Sequence, residues 1–309
     1  MADLNYRIPL IFGTAGPVLL DEEARLFEES QPAGFILFAR NCVDPDQLKK
    51  LTADLKKVVP DAQVLIDQEG GRVMRMKPPV WPAMSAPKMY GEMYDRSPIM
   101  ACESLRKDTT DTAEMLKKHG FTVNCAPTCD LYVPGAHAVI GDRAFHADPH
   151  VVSVLAETQA RAYLAAGIQP VIKHLPGHGR ANMDSHTDLP VIDIDLTVFV
   201  DDLIPFRAVS TKMGEDIWGM VAHCVYPQLD PTGKPATTSR HMIDNVIRDQ
   251  IGLTGRPIVD RVAIRESIRH DQVHHVVRTK PLKTSCRGKW RGDREWHACG
   301  AARGAYRQW

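Results

Sequence analysis

Short runs rich in Ile, Val and Phe alternate along this chain with longer stretches in which apolar residues recur at helical spacing. The runs at 9–16, 34–40, 63–70, 121–131, 168–177 and 218–226 predict strands, with a seventh at 256–260. The stretches at 20–30, 44–57, 99–119, 149–166, 196–212 and 239–250 predict helices. Asp44-Pro45 and Asp148-Pro149 are expected helix starts, because proline is tolerated in the first turn, where its missing N–H costs nothing. Gly120 and Gly167 sit where helix C-terminal caps are expected. The strands read as nearly continuous apolar runs, the signature of a parallel sheet covered on both faces. Repeated strand–helix units without a reset predict an α/β fold, a single-domain (β/α)8 TIM-type barrel rather than an open sheet.

In such a barrel the polar residues at the C-terminal ends of the strands line the active site. The third predicted strand ends in Asp67-Gln-Glu-Gly-Gly-Arg72, followed by Arg75. The fourth ends at Asp130, and its loop carries Arg143. The fifth ends in Lys173-His174 and the sixth at His223. One charged strand end is commonplace, but four on one rim call for a ligand. The types suit a polyhydroxylated one, since Asp67 accepts from hydroxyls while Arg75, Arg143 and Lys173 donate to them. A buried ion pair under the loop is the plainer alternative, and Glu69 and Arg72 fit it well.

The stretch KHLPGHGRANMDSHTDLP (173–190) concentrates three histidines, two aspartates and a lysine on one loop. Asp184 lies two residues before His186, close enough to bond its imidazole and raise its basicity, which suits proton transfer. His174, His178, Asp184 and His186 could alternatively hold zinc, although Lys173 puts a positive charge where a cation would sit. His178, between two glycines, reads as a loop-shaping residue.

Composition narrows the function classes. The 309 residues carry 38 Lys+Arg and 38 Asp+Glu, so no net charge draws the chain to nucleic acid or a membrane surface. The start shows no basic region followed by an apolar run, and no stretch approaches the roughly 20 apolar residues of a membrane span. Seven scattered cysteines without C-x-x-C suggest free thiols in a reducing cytoplasm. No G-x-G-x-x-G or P-loop pattern follows a strand. The charge is uneven, however: residues 256–309 hold 13 Lys+Arg against 5 Asp+Glu, one leucine and three of the five tryptophans.

Together IDQEGGRVMR (66–75), IGDRAF (140–145), KHLPGHG (173–179), DSHTDLP (184–190) and MVAHCVYPQLD (220–230) resemble glycoside hydrolase family 3, specifically its bacterial β-N-acetylglucosaminidases of cell-wall recycling. The resemblance runs from about residue 8 to residue 255. It implies a cofactor-independent, monomeric, cytoplasmic enzyme. Such an enzyme removes terminal β-linked N-acetylglucosamine from muropeptides or chitobiose-like glycosides with retention of configuration. By position Asp67, Arg75, Arg143, Lys173 and His174 match the sugar-binding residues, His186 the general acid/base and Asp184 its dyad partner. The nucleophile would be Asp260, five residues after Gly255, but Val259 and Arg261 stand where the family has a small hydroxyl residue and a second aspartate. The departure begins where the composition changes. The expected division is therefore a barrel over 1–260 and an atypical basic segment over 261–309, unfolded or read from a shifted frame. A sugar-binding but catalytically impaired homologue and a metal-dependent hydrolase remain as competing readings.

Overall fold

The computed structural model describes residues 8–182, 189–260 and 274–276, the last three and Asp260 through their backbone. Seven parallel strands follow one another around a closed barrel: β1 (Ile8–Phe12), β2 (Pro32–Leu37), β3 (Gln63–Ile66), β4 (Val123–Asn124), β5 (Gln169–Leu175), β6 (Trp218–Val221) and β7 (Pro257–Asp260). Parallel neighbours need a crossover, and the helices supply it. These are α1 (Asp21–Ser30), α2 (Pro45–Val58), α3 (Pro87–Tyr94), α4 (Pro98–Lys118), α5 (Pro149–Ala165) and α6 (Leu196–Met213). A π-type helix, Met242–Gln250, joins β6 to β7.

Several helix starts follow from their caps. Asp44 accepts from the N–H groups of Asp46 and Gln47, and Asp148 from that of His150, each with proline in the first turn. Two of the donors a helix terminus leaves unpaired are thereby satisfied at α2.

The strands are buried on both faces. Inside the barrel, Ile11, Ile36, Leu65, Val123, Val171, Met220 and Ile258, one from each of β1 to β7, form a single cluster. On the outer face Phe35, Leu37, Val64 and Ile66 pack against Leu48, Leu51 and Leu55 of α2. Ile172, Val221 and Val259 pack with Phe206 and Val209 of α6 in the third cluster. Each such side chain contributes about 1.5–3 kcal/mol on burial, and together they close the sheet. The cysteines at 125 and 129 are buried as free thiols.

The barrel closes differently from a regular eightfold repeat. The eighth position is taken by β8 (His274–Val276), which runs antiparallel to both β7 and β1. With residues 261–309 expected as an atypical, unfolded segment, β1 would lack a neighbour there; instead His274–Val276 pairs through its backbone with Leu10 and Ile11 on one side and with Ile258 to Asp260 on the other. All described residues fall within one unit, Met1–Arg278.

Candidate active site

Strand β3 stops at Ile66 and delivers Asp67 to the rim, where a hairpin brings Arg75 back beside it. Gly70 has φ of 103°, and a Cβ there would sit 2.1 Å from the Ser85 carbonyl oxygen, so the turn requires glycine. Gln68 pins the returning strand: its side-chain oxygen accepts from the N–H groups of Arg75 and Met76, and its amide donates to the Met76 carbonyl. Arg75 then donates through Nη2 to Asp67 Oδ2 at 3.1 Å, with its guanidinium over the Phe38 ring.

Strand β5 brings the opposing charges. Its register shifts between Lys173 and Leu175, and both Lys173 and His174 line the cavity, where regular alternation would send them to opposite faces. Lys173 Nζ lies 2.9 Å from Asp67 Oδ1 and is also bonded to Glu69 Oε1. Arg143, on the 3-10 turn Gly141–Arg143, grips Glu69 through two bonds, Nε to Oε2 at 2.8 Å and Nη2 to Oε1 at 2.9 Å. Arg72 holds that turn in place, reaching Asp142 at 2.6 Å and the carbonyls of Ala138, Val139 and Ile140.

Two cations thus converge on one fully buried carboxylate. Burial alone would raise the Glu69 carboxyl, but the Arg143 and Lys173 charges outweigh it and hold it at about 2. Lys173 is likewise buried, which lowers an ammonium, yet Asp67 and Glu69 raise it above its ordinary value. Both stay ionised at neutral pH. The result is a preorganised polar floor under a cavity of about 340 Å³, within the range of small-molecule sites.

His174 completes one wall. Its Nδ1 is 2.6 Å from Asp130 Oδ2, and its Nε2 faces Arg143 Nη2 at 3.4 Å. Asp130 also accepts the backbone N–H groups of His174 and His178. Burial lowers His178 to about 4, so it is neutral at pH 7, and its backbone tie to Asp130 fixes the start of the loop. Among the described residues no group of three or more His, Cys, Asp or Glu side chains is arranged to hold a metal.

Residues 17–284 match the glycosyl hydrolase family 3 N-terminal domain. The chain belongs to glycosyl hydrolase family 3. A β-hexosaminidase of Aromatoleum aromaticum is 35% identical over 250 residues, covering 80% of this chain and 68% of that one. A β-hexosaminidase of Bordetella avium is 33% identical over 249 residues, with 80% and 70% covered. Among solved structures, native NagZ from Neisseria gonorrhoeae superposes with a TM-score of 0.75 at 33% identity, covering 81% of this chain and 72% of that one. Further structures of that protein hold N-trifluoroacetyl-D-glucosamine and a zinc ion. By this kinship the chain is a glycoside hydrolase of the β-hexosaminidase type.

On this family 3 barrel, the five candidate sugar ligands Asp67, Arg75, Arg143, Lys173 and His174 line the one cavity. Asp184 and His186 lie outside the described residues. Asp260 is the last residue of β7, at the same rim of the parallel sheet, and its backbone pairs with His274. Sequence reasoning undervalued Glu69, although it stands two residues after Asp67. It placed Asp130 at the rim without a role and left Phe38 out, since nothing local marks a strand-end Asp as a histidine partner.

Proposed function

We propose that this chain removes terminal, non-reducing β-linked N-acetylglucosamine from muropeptides, acting as a cytoplasmic monomer in cell-wall recycling, with chitobiose-like glycosides as alternative substrates. The observation that carries the reading is the convergence of Asp67 and Arg75 after β3, Arg143 after β4, and Lys173 and His174 of β5 on one small polar cavity. The N-trifluoroacetyl-D-glucosamine held by the gonococcal relative supports an acetamido sugar as the occupant.

In this reading the Asp260 carboxylate attacks the anomeric carbon, forming an acetal ester as the glycosidic C–O bond breaks. His186, oriented by Asp184, gives its proton to the departing oxygen. It then takes one from the water that hydrolyses the ester, and configuration is retained over the two displacements. No metal or cofactor enters these steps.

A second reading, a sugar-binding homologue without turnover, draws on the neighbours of Asp260. Val259 and Arg261 flank it, and the strand that supports it runs antiparallel. One comparison tests both. The protein is expected to release the chromogen from an aryl β-N-acetylglucosaminide at least about tenfold faster than from the matching β-glucoside. Equal rates would reject the acetamido sugar as substrate. Saturable binding of N-acetylglucosamine without any chromogen release would establish the second reading.

A further inference from the structure

Asp130 lies in the segment after β4 and is almost wholly buried. Everything it touches among the described contacts is a donor: the backbone N–H of His174 at 3.2 Å from both oxygens, the backbone N–H of His178 at 2.7 Å, and His174 Nδ1 at 2.6 Å. An ionised carboxylate can only accept. A contact of 2.6 Å between it and a ring nitrogen therefore requires the hydrogen on Nδ1. The opposite side of the ring makes the same demand. Nε2 faces the Arg143 guanidinium at 3.4 Å, and a guanidinium can only donate. The two neighbours thus select a single tautomer, with hydrogen on Nδ1 and a lone pair on Nε2.

The doubly protonated ring is disfavoured by the same surroundings. It would aim an Nε2–H at Arg143 and place a third positive charge beside Lys173 and Arg143. Burial lowers His174, and those two cations lower it further against the pull of Asp130. Asp130 itself is kept ionised, because His174 and the backbone donors outweigh the cost of its burial.

We propose that Asp130 is a positioning residue that fixes His174 as a hydrogen-bond acceptor facing the sugar cavity. The inference rests on reading that cavity as the sugar site. A ligand hydroxyl there donates to His174 Nε2 in place of the 3.4 Å contact with Arg143, while its oxygen remains open to the guanidinium so released or to Lys173. Such a hydroxyl is read in both directions at once, which an ether or a fluorine cannot satisfy. The specificity comes from the second layer, as it does wherever a buried carboxylate chooses the tautomer of a working histidine.

The test reads the ring directly. In protein with ¹⁵N-labelled histidine, His174 is assigned by the loss of its signals in His174→Gln. In the wild type at neutral pH, Nδ1 is expected to carry the proton and Nε2 to show the shift of an unprotonated nitrogen. Asp130→Asn can turn its oxygen to the backbone donors and its NH2 to Nδ1. The hydrogen then moves to Nε2, and KM for an aryl β-N-acetylglucosaminide rises by at least about tenfold, the scale of one lost charged hydrogen bond. A wild-type ring protonated on Nε2 overturns the proposal, even if the Asn variant fails to fold. So does an unchanged tautomer in a folded Asp130→Asn. Absence of hydrolysis by a wild type with the expected tautomer counts against the assigned substrate instead, because the tautomer is read without turnover.

Discussion

Glu69 shows how much one carboxylate can organise. It is the only partner in the cavity floor that touches both Lys173 and Arg143 among the described contacts, and its side chain is 1% exposed. Glutamine would keep its volume but leave the buried Lys173 with Asp67 as its carboxylate and Arg143 with the Val139 carbonyl among the described contacts, and its amide would present hydrogens to donors. Glu69→Gln is therefore expected to lower unfolding stability by about 3–5 kcal/mol at neutral pH, the range for breaking a buried ion pair from one side. The linkage has a definite sign. The folded-state carboxyl is held at about 2, below the roughly 4.3 of an unfolded chain. Its stabilisation is complete above the unfolded value and lost as pH falls towards about 2. Denaturant titrations of both proteins across that window check the claim. A constant difference throughout, or one under about 1 kcal/mol, would assign Glu69 no such role.

At the scale of elements, the loop after β5 is built from its base. Tyr226 donates to the Gly177 carbonyl, and Arg180 pairs with the buried Asp202 of α6 at 2.6 Å. At Gly179 a Cβ would lie 2.3 Å from the Leu131 carbonyl oxygen. Gly179→Ala must push two backbone segments apart, at about 1–3 kcal/mol of overpacking. The expected signature is a lower melting temperature together with a larger loss of kcat than of stability, since the displaced segment leads towards Asp184 and His186. Wild-type kcat in the variant would uncouple the base from catalysis. Much of this architecture was legible beforehand. Asp44-Pro45 and Asp148-Pro149 begin α2 and α5, and the seven apolar runs each overlap a parallel strand. The expected ends overran, 63–70 against Gln63–Ile66 and 121–131 against Val123–Asn124. The chain stays buried past the last ladder bond, at 67–70 and 125–131, while the backbone has already left the sheet to form the rim. Helix α3 was missed because its eight residues include Gly91, a poor helix former, and too few turns for a periodic stripe. The candidate ligands were marked by their motifs. Their partners were not, because Asp130 meets His174 across 44 residues and Glu69 meets Arg143 across 74.

For the whole molecule, the decisive feature is how the barrel is closed. Without a partner between them, β1 and β7 would each expose a row of unpaired N–H and C=O groups, an invitation to aggregation. The three residues of β8 cover both edges, pairing His275 with Leu10 and Val259, and His274 with Ile11 and Asp260. This pairing is a backbone property, which explains why His274–Val276 can do it without the apolar alternation of a regular strand. It also locates the useful part of the atypical segment. β8 serves the barrel, and the residues beyond Arg278 are expected to be dispensable to it. Two truncations separate these roles. A chain ending at Arg278 is expected to melt within about 2 °C of the full-length protein. A chain ending at Asp260 loses several backbone hydrogen bonds, each worth about 0.5–1.5 kcal/mol. It is expected to melt at least about 5 °C lower, given about 2–4 °C per kcal/mol at this size, and to scatter light on standing. Identical melting of the two truncated chains would remove β8 from the closure. A large loss on cutting at Arg278 would make the final segment part of the fold, and Asp260 would then stand on a barrel completed by the entire chain.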